Sequence, residues 1–329
     1  MMNARNFLVV FISITSSMVS VGQANLLNAR FPEEIGIKTA DQLLADNDKP
    51  LEYGYVDDRD ILMGKMTWEI IDLSERVNLP LYFPVGDQKL GSDRRSLFDV
   101  LTKAIDNGEI TDVYEDSYFN IKKSFKDIQA LMSYYNISDG GRNQINTLGL
   151  DKKYEYINKE DPNTKQIYKL TSDDCKKLIN DGISQEYIDT NVLTSQDVTQ
   201  YKIKGYWYFD KRQSELKYRL IGICPVTPDV YTMNNKDKDY IELFWVFFPS
   251  ARNVLHEAKS FNDRNSAKPI SFDQILNARH FNAMIYQEEN VYGDRAIAGY
   301  MKENAQNQLL ESDRVKEKIR NFESDMWNY

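Results

Sequence analysis

The stretch "YKIKGYWYFDKRQSELKYRL", residues 201–220, decides the fold class, because two alternating segments flank one polar turn. A strand places successive side chains on opposite faces of a sheet, so its two faces can be read separately. The side chains expected to point inward are Tyr201, Ile203, Gly205, Trp207 and Phe209. Those expected on a solvent-exposed face rich in Tyr and Lys are Lys202, Lys204, Tyr206, Tyr208 and Asp210. The first segment therefore predicts a half-buried strand.

The polar turn "DKRQSE", residues 210–215, predicts that the chain reverses into an antiparallel hairpin. The side chains expected to share one face of the returning strand are Leu216, Tyr218, Leu220 and Cys224. A third strand, "YIELFWVFFP" at 240–249, is apolar on both faces except at Glu242. Because such strands are covered on both sides, we expect it in the middle of the sheet.

Three helices are predicted before this sheet. The first opens near Asp57 or Asp58 and ends at Pro80, and its apolar stripe is Met63, Met66, Ile70, Leu73 and Val77. A short extended piece, "LYFPV", follows. The second helix runs from about Ser92 to Gly108 with an inward face of Leu97, Val100, Leu101 and Ile105. After an extended segment, "EITDVYEDSYF", the third is capped by Ser124 and buries Phe125, Ile128, Leu131 and Tyr135.

The remaining segments complete an α+β organisation, in which strands and helices come in blocks. Residues 25–135 form a mainly helical N-terminal lobe, and residues 136–200 form a polar, loop-rich connector with short helices near 172–180 and 195–200. Residues 201–329 form the sheet-plus-helix C-terminal lobe. Its helices are predicted at Ala251 to Ala258, behind a capping box of Ser271 and Gln274, and along 302–327. The last of these is expected to turn Leu309, Leu310, Val315, Ile319, Phe322 and Met326 inward.

The first 24 residues have the pattern of a cleavable secretory signal. Arg5 precedes the uncharged stretch "FLVVFISITSSMVSVG", and Gly22 and Ala24 are small residues of the kind found at cleavage sites. The alternative is a membrane anchor, but this apolar stretch is shorter than the ~20 residues of a spanning helix. We therefore expect export without membrane insertion. A formal net charge of −9 argues against nucleic acid or anionic membranes as the main partners.

The chain has two cysteines, Cys175 and Cys224, with no metal-binding or redox motif around either. In an oxidising compartment they could form a disulfide that closes a loop of about fifty residues, which contributes on the order of 4 kcal/mol. The alternative is two free thiols, with Cys224 a small apolar side chain in its strand and Cys175 in a polar segment. The sequence leaves both possibilities open.

No motif in the sequence indicates catalysis, a metal or a cofactor. His256 lacks the second histidine of a zinc-protease helix, and His280 is expected to be a partly buried structural residue beside Arg279. Asp57, Asp58 and Asp60 lack the glycine and glutamate of a calcium loop, so a capping role is favoured. The chain is instead rich in aromatic residues, with 21 Tyr, 15 Phe and 4 Trp. Such residues anchor protein interfaces, although many belong to ordinary cores.

Long stretches of the chain resemble the GldN/PorN family of gliding-motility proteins. They include "KMTWEIIDLSERVNLPLYFP" and "RRSLFDVLTKAIDNGEITDVYEDSYF" in the N-terminal half. The C-terminal half adds "KGYWYFDKRQSELKYRLIGICPV", "NARHFNAMIYQEENVYGDR" and "NQLLESDRVKEKIRNFESDMWNY". The resemblance covers most of the chain outside residues 136–200.

The resemblance implies a non-catalytic periplasmic subunit of the type IX secretion system. Such a subunit would form a ring with an outer-membrane lipoprotein of the GldK/PorK kind and contact the periplasmic part of motor proteins of the GldM/PorM kind. The candidate partner interface is Lys202, Lys204, Tyr206, Tyr208, Trp327 and Tyr329. The competing interpretations are a secreted hydrolase, which would need a pocket around His256 or His280, and a module that binds glycan or peptidoglycan, which would need a concave aromatic groove.

Overall fold

The computed structural model describes residues 49–86, 94–150, 152–154, 170–233, 237–262, 269–302 and 304–327. Residues 52–86 and 95–329 form one compact unit, and the fold below is that of its described residues. Residues 1–51 and 87–94 form a second unit, which lies almost wholly outside the described ranges. The predicted signal segment, residues 1–24, is also outside them.

The larger unit is an α+β fold, which confirms the predicted class. Its strands are β1 (Ile61–Asp72), β2 (Val113–Tyr114), β3 (Ser133–Ile137), β4 (Ile188–Val192), β5 (Gln200–Asp210), β6 (Glu215–Pro228), β7 (Tyr240–Glu242), β8 (Trp245–Phe247), β9 (Lys259–Ser260), β10 (Ile270–Ser271) and β11 (Met284–Glu288). Its helices are α1 (Leu79–Tyr82), α2 (Leu97–Asp106), α3 (Phe125–Met132), α4 (Asp139–Thr147), α5 (Ser172–Asn180), α6 (Phe248–Glu257), α7 (Phe272–Asn277), α8 (Ile297–Tyr300) and α9 (Ala305–Trp327).

The predicted hairpin, β5 and β6, lies at the centre of the main antiparallel sheet. The strand order is β11-β1-β5-β6-β8-β2, with β7 also paired to β6. Asp210 accepts hydrogen bonds from the backbone N–H groups of Arg212 and Gln213, and Ser214 takes a φ of 55° to close the turn. The polar turn therefore closes an antiparallel hairpin, as the sequence indicates.

The helix predicted over Met63 to Val77 is wrong, because this segment is the long strand β1 and a short 3₁₀ turn. Strand β1 pairs with β5 along its length and with β11 over Thr67 to Ile70. Its middle is buried on both faces, and Trp68 and Ile71 pack on opposite sides of the sheet. A strand covered on both faces has a near-continuous apolar run, from which a helical spacing can be selected by chance.

The third predicted strand is interrupted and does not lie in the middle of the sheet. Strands β7 and β8 are separated by Leu243 and Phe244, which fill the core, and β8 lies between β6 and the terminal strand β2. The prediction that Leu220 and Cys224 share a face is also wrong. Gly205 and Lys204 are consecutive in β5, but their partners in β6 are Leu220 and Gly222, so Ile221 is an extra, bulged residue of β6. The bulge reverses the alternation along β6, and Leu220 and Cys224 therefore pack in different clusters on opposite faces.

One face of the sheet carries the main core with α2, α6 and α7. Helix α2 buries the four residues predicted to face inward, and Ser96 caps it. Ser124 and Asp127 form a complete capping box at the start of α3, whose fully buried residue is Ile128. Ser271 caps α7 by accepting a hydrogen bond from the Gln274 N–H. The prediction of an extended segment at "LYFPV" is wrong for its first two residues, because Leu79–Tyr82 forms the helix α1.

Residues 136–200 are more structured than a loop-rich connector. Strands β3 and β4 pair, helices α4 and α5 flank them, and α5 matches the helix predicted at residues 172–180. They enclose a separate hydrophobic cluster of Ile137, Ile145, Tyr154, Cys175, Leu178, Ile183 and Ile188. These apolar residues are distant in sequence, so a local window does not show that they pack together. The division of the chain at residues 136 and 200 stays a prediction.

The last helix, α9, packs on the sheet through its middle. Val315 and Ile319 are buried as predicted, whereas Leu309 and Leu310, also predicted to face inward, are exposed. Ser312 is fully buried, and its Oγ accepts a hydrogen bond from the Ile285 N–H of β11 at 2.9 Å. Among the described residues, no helix is both long and apolar enough to cross a bilayer.

Candidate protein-interaction surface

Lys204, predicted to face solvent, is buried in an aromatic cage. Its side chain is only 7% exposed, and its Nζ donates a hydrogen bond to the Ser117 carbonyl oxygen at 2.9 Å. The same Nζ lies 4.8, 4.6 and 5.6 Å from the ring centres of Trp68, Tyr118 and Phe119. Burial lowers the pKa of Lys204, although neighbouring carboxylates oppose the shift. These cation–π contacts and the hydrogen bond hold the loop of residues 116–121 against β5 of the sheet.

The expectation of a wet face on β5 is wrong at Tyr208 as well, which is buried. Tyr206 is partly buried, and its ring lies against Gly64. Lys202 forms an ion pair with Glu242, with 2.7 Å between Nζ and Oε1. The Lys202 Nζ also lies 5.0 Å from the ring centre of Tyr286, and the Arg219 guanidinium lies 5.7 Å from the ring centre of Tyr208. Whether they contact a partner stays a prediction; the described surface leaves little of them accessible.

The loop that covers Lys204, residues 116–121, is held by a phenylalanine. Phe119 takes a φ of 61°, and its ring lies above Gly222 of β6, where a Cβ would be 2.6 Å from the ring. Its ring also meets those of Tyr114 and Phe247 at 5.3 and 5.5 Å. A left-handed conformation at a bulky residue is costly, so the surrounding packing must hold it. The loop is therefore fixed, and it leaves Tyr118 and Ile121 half-exposed.

A second loop, residues 289–295, presents two apolar side chains to solvent. Val291 is 93% exposed and Tyr292 is 81% exposed. Asn290 holds the loop from inside: its Nδ2 donates to the carbonyl oxygens of Glu288 and Arg295, and its Oδ1 accepts from the Tyr292 N–H at 3.0 Å. Gly293 and the residue after it take positive φ values, which completes the turn.

The two loops are joined by a hydrogen bond from the Tyr118 hydroxyl to Asp294 Oδ2 at 3.1 Å. Burial and the Asp294 carboxylate raise the pKa of Tyr118. We call residues 116–121 and 289–295 together the two-loop platform. Its exposed apolar side chains are Tyr118, Ile121, Val291 and Tyr292. Because the structure already fixes these loops, a partner would pay little ordering entropy on binding.

No pattern in the sequence marks Val291 and Tyr292 as exposed contact residues. Their local signal is the turn chemistry of "NVYGDR", in which Asn, Gly and Asp surround two apolar residues. Of the predicted C-terminal interface residues, Trp327 ends α9, but its side chain and Tyr329 lie outside the described residues.

A concave cleft of about 800 Å³ lies elsewhere on the same unit, between the end of α2, helix α3, strand β3 and the start of α5. Part of its wall is apolar and is formed by Phe125, Tyr134, Val192 and Tyr231. The ring centres of Tyr134 and Tyr231 lie 4.8 Å apart, and their planes are inclined by 58°. Lys103, Lys126 and Lys176 line its rim. No histidine or cysteine is among the described residues that line it.

The most buried charges form structural pairs. Glu69 is fully buried and accepts two hydrogen bonds from Arg279, whose guanidinium lies 4.1 Å from the ring centre of Tyr218. Arg252 and Asp273 form a second buried ion pair, with 2.8 Å between Arg252 Nε and Asp273 Oδ1. Each charge has its counter-ion, so these groups fix the sheet and helices against each other.

The histidines do not form a site in the described part of the chain. His280 is exposed, which corrects the expectation of a partly buried position, and His256 is half-buried on α6. Within the described ranges, no group of three or more His, Cys, Asp or Glu side chains could hold a metal ion.

Cys175 and Cys224 are buried free thiols, the second of the two arrangements left open by the sequence. Cys175 packs in the cluster around β3 and β4, and Cys224 packs with Trp68 and Trp245 on the main sheet. Burial raises the pKa of both thiols, so neither is activated as a nucleophile.

Comparison with known proteins places the chain in one family. A profile described as "Gliding motility associated protein GldN" matches residues 56–328, which include the main sheet, the cleft and the two-loop platform. No curated protein matches the chain significantly. Since the profile covers most of the sequence, the chain belongs to the GldN family of gliding-motility-associated proteins.

Proposed function

We propose that this protein is a non-catalytic structural subunit of the type IX secretion system, which supports protein export and gliding motility. Membership of the GldN family is the observation that carries the proposal. The site geometry agrees with it, since the described surface offers a fixed aromatic platform, and the buried Glu69–Arg279 and Arg252–Asp273 pairs serve a structural role. On this proposal residues 1–24 direct export to the periplasm and are removed there.

The proposed partners are an outer-membrane lipoprotein of the GldK/PorK kind and the periplasmic part of a motor protein of the GldM/PorM kind. The subunit would be held at the outer membrane by the lipoprotein and arranged in a ring. The two-loop platform replaces the outer face of β5 as the preferred contact surface, because Val291 and Tyr292 are accessible while Lys204 and Tyr208 are not.

The test is affinity purification of a tagged chain from cell envelopes, followed by sizing and identification of the recovered proteins. The proposal predicts a large assembly that contains an outer-membrane lipoprotein, together with loss of export and gliding when the gene is deleted. Recovery of a lone monomer, with export and gliding intact in the deletion strain, would overturn it.

A glycan-binding module is the second candidate, and the aromatic cleft is the observation that favours it. Sugar recognition uses exposed ring faces, whereas Tyr134 and Tyr231 pack against each other. Isothermal titration of peptidoglycan fragments into the purified chain and into Tyr134→Ala decides the matter. Binding that depends on Tyr134 would support this candidate, and absence of heat would exclude it.

A further inference from the structure

We propose that helix α9, Ala305–Trp327, is a releasable cover of the main sheet, which detaches as a unit while the rest of the fold stays intact. The inference goes beyond the proposed function, because it concerns a motion within one copy of the chain. Detachment uncovers an apolar strip of the sheet and part of the outer edge of β11. The closed helix keeps both of these surfaces from contact with other proteins.

The apolar contacts of α9 lie apart from the main core. Among its described side chains, only Ser312, Val315 and Ile319 are buried. Val315 and Ile319 pack in a small cluster on β11, which is separate from the cluster that holds α2, α6 and α7. Phe322 is partly exposed, and its ring centre lies 5.9 Å from that of Phe209. An element with few buried apolar contacts opens at a low free energy, so α9 can leave while the main core stays closed.

Two side chains of α9 bond to backbone groups of β11 and of the residue before it. Ser312 Oγ accepts a hydrogen bond from the Ile285 N–H at 2.9 Å, and Lys316 Nζ donates one to the Ala283 carbonyl oxygen at 2.6 Å. Strand β11 is the terminal strand of the sheet, so its outer edge has no neighbouring strand to satisfy these groups. The side chains of α9 take that role, and this part of the edge is protected only while the helix is closed.

An apolar strip of β1, β5 and β6 lies beneath α9. Met63, Trp207 and Leu216 are partly buried and pack against the small cluster that contains Val315 and Ile319. These three side chains lose their cover when the helix lifts. The open state therefore exposes a contiguous apolar surface of the kind at which proteins bind.

The connection before α9 suits a reversible motion. Helix α8 ends at Tyr300, and residues 301, 302 and 304 lie outside any helix or strand. Such a connection can absorb the change in backbone angles at a hinge. It also tethers the open helix close to the sheet, and the high effective concentration favours rebinding. The open state is thus a minor state in equilibrium with the closed one.

The experiment measures how often a thiol becomes accessible to dithionitrobenzoate in the folded chain, at several low urea concentrations. Val315→Cys places a thiol beneath α9, and the native Cys224, fully buried in the main sheet, is the internal control. Each rate is divided by the rate of the same thiol in the unfolded chain, which gives the exposed fraction. The thiol of Val315→Cys should be exposed at least about a hundredfold more often than that of Cys224, with a weaker urea dependence. Ile319→Cys should have the same urea dependence as Val315→Cys, because a helix that detaches as a unit exposes the same surface in both variants.

A pair of serine variants tests the contact with β11. Ser312→Ala leaves the Ile285 N–H without its acceptor in the closed state, so it should raise the exposed fraction of the Val315→Cys thiol about tenfold. Ser324→Ala, at an exposed serine of the same helix, is the matched control and should leave that fraction unchanged. Equal effects of the two variants would contradict the role given to Ser312 at this edge.

Equal exposure and equal urea dependence at position 315 and at Cys224 would mean that α9 opens only when the whole fold opens, which overturns the inference. Different urea dependences at positions 315 and 319 also overturn it, because they indicate fraying from one end. Hydrogen exchange of the unchanged chain measures the same opening without a substitution. The amides of residues 312–320 should exchange together at low urea, before those of β5 and β6, and exchange of all these amides in one step would overturn the inference.

Discussion

Replacement of Lys204 by methionine tests how the sheet holds the two-loop platform. Methionine keeps an unbranched apolar stem but removes the ammonium group, which contacts three aromatic rings and the Ser117 carbonyl oxygen. Loss of the cation–π contacts costs about 0.5–2 kcal/mol and loss of the charged hydrogen bond about 1.5–3 kcal/mol. Release from the desolvation of a buried ammonium offsets part of this, so we expect a net loss of about 2 kcal/mol.

The assay is urea unfolding followed by tryptophan fluorescence, with Lys202→Met as the matched control. Lys202 is on the same face of the same strand, but its pair with Glu242 is partly exposed, so its replacement should cost at most about 1 kcal/mol. Hydrogen exchange should also increase in residues 116–121 of Lys204→Met and not in the control. Equal destabilisation by the two variants, or unchanged exchange in this loop, would refute the role given to Lys204.

Three further predictions concern the core. Arg279→Met should lower the free energy of unfolding by about 3–5 kcal/mol in urea titration, because it leaves Glu69 buried without a counter-ion, whereas the double variant with Glu69→Leu should lose less. The free energy of unfolding should fall as the pH rises above about 10. Burial raises the pKa of interior tyrosines in the folded protein, so the stabilisation that is present below their unfolded pKa is lost at higher pH. Tyrosinate absorbance can follow this titration. Gly222→Ala should cost about 1–3 kcal/mol by displacing Phe119, while Gly54→Ala, with open space around it, should be neutral in thermal unfolding.

Local patterns in the sequence predicted the elements that depend on local chemistry. Ser124 and Ser271 cap the helices that follow them, and the polar turn at 210–215 closes the central hairpin. The second helix was predicted from about Ser92, and its cap is Ser96. These features depend on residues within a few positions of each other, so a single sequence contains the information.

The errors arose where distant segments decide the outcome. The apolar spacing within β1 predicts a helix, because the pairing of this strand with β5 and β11 is not visible in that spacing. Alternation along β5 predicts that Lys204 faces solvent, because the aromatic rings around it come from Trp68, Tyr118 and Phe119, all remote in sequence. The bulge at Ile221 of β6 places Cys224 on the face opposite Leu220, and the alternation of residue types does not reveal such a bulge.

The candidate surface was only partly predictable. The aromatic content and the absence of a catalytic motif indicate a protein that binds other proteins. The resemblance to the GldN family indicates that it serves gliding motility. The accessible anchors at Val291 and Tyr292 required the structure, because exposure depends on how the loops after β2 and β11 close over the sheet.

Site-specific photocrosslinking in intact cells tests the central claim most directly. A photoreactive amino acid would replace Tyr292 on the platform or Tyr240 as a control at a half-exposed site, and crosslinked proteins would be identified by mass spectrometry. The account predicts crosslinks from position 292 to envelope proteins of the export machine, and few from position 240. Crosslinks from position 240 with none from position 292 would contradict it.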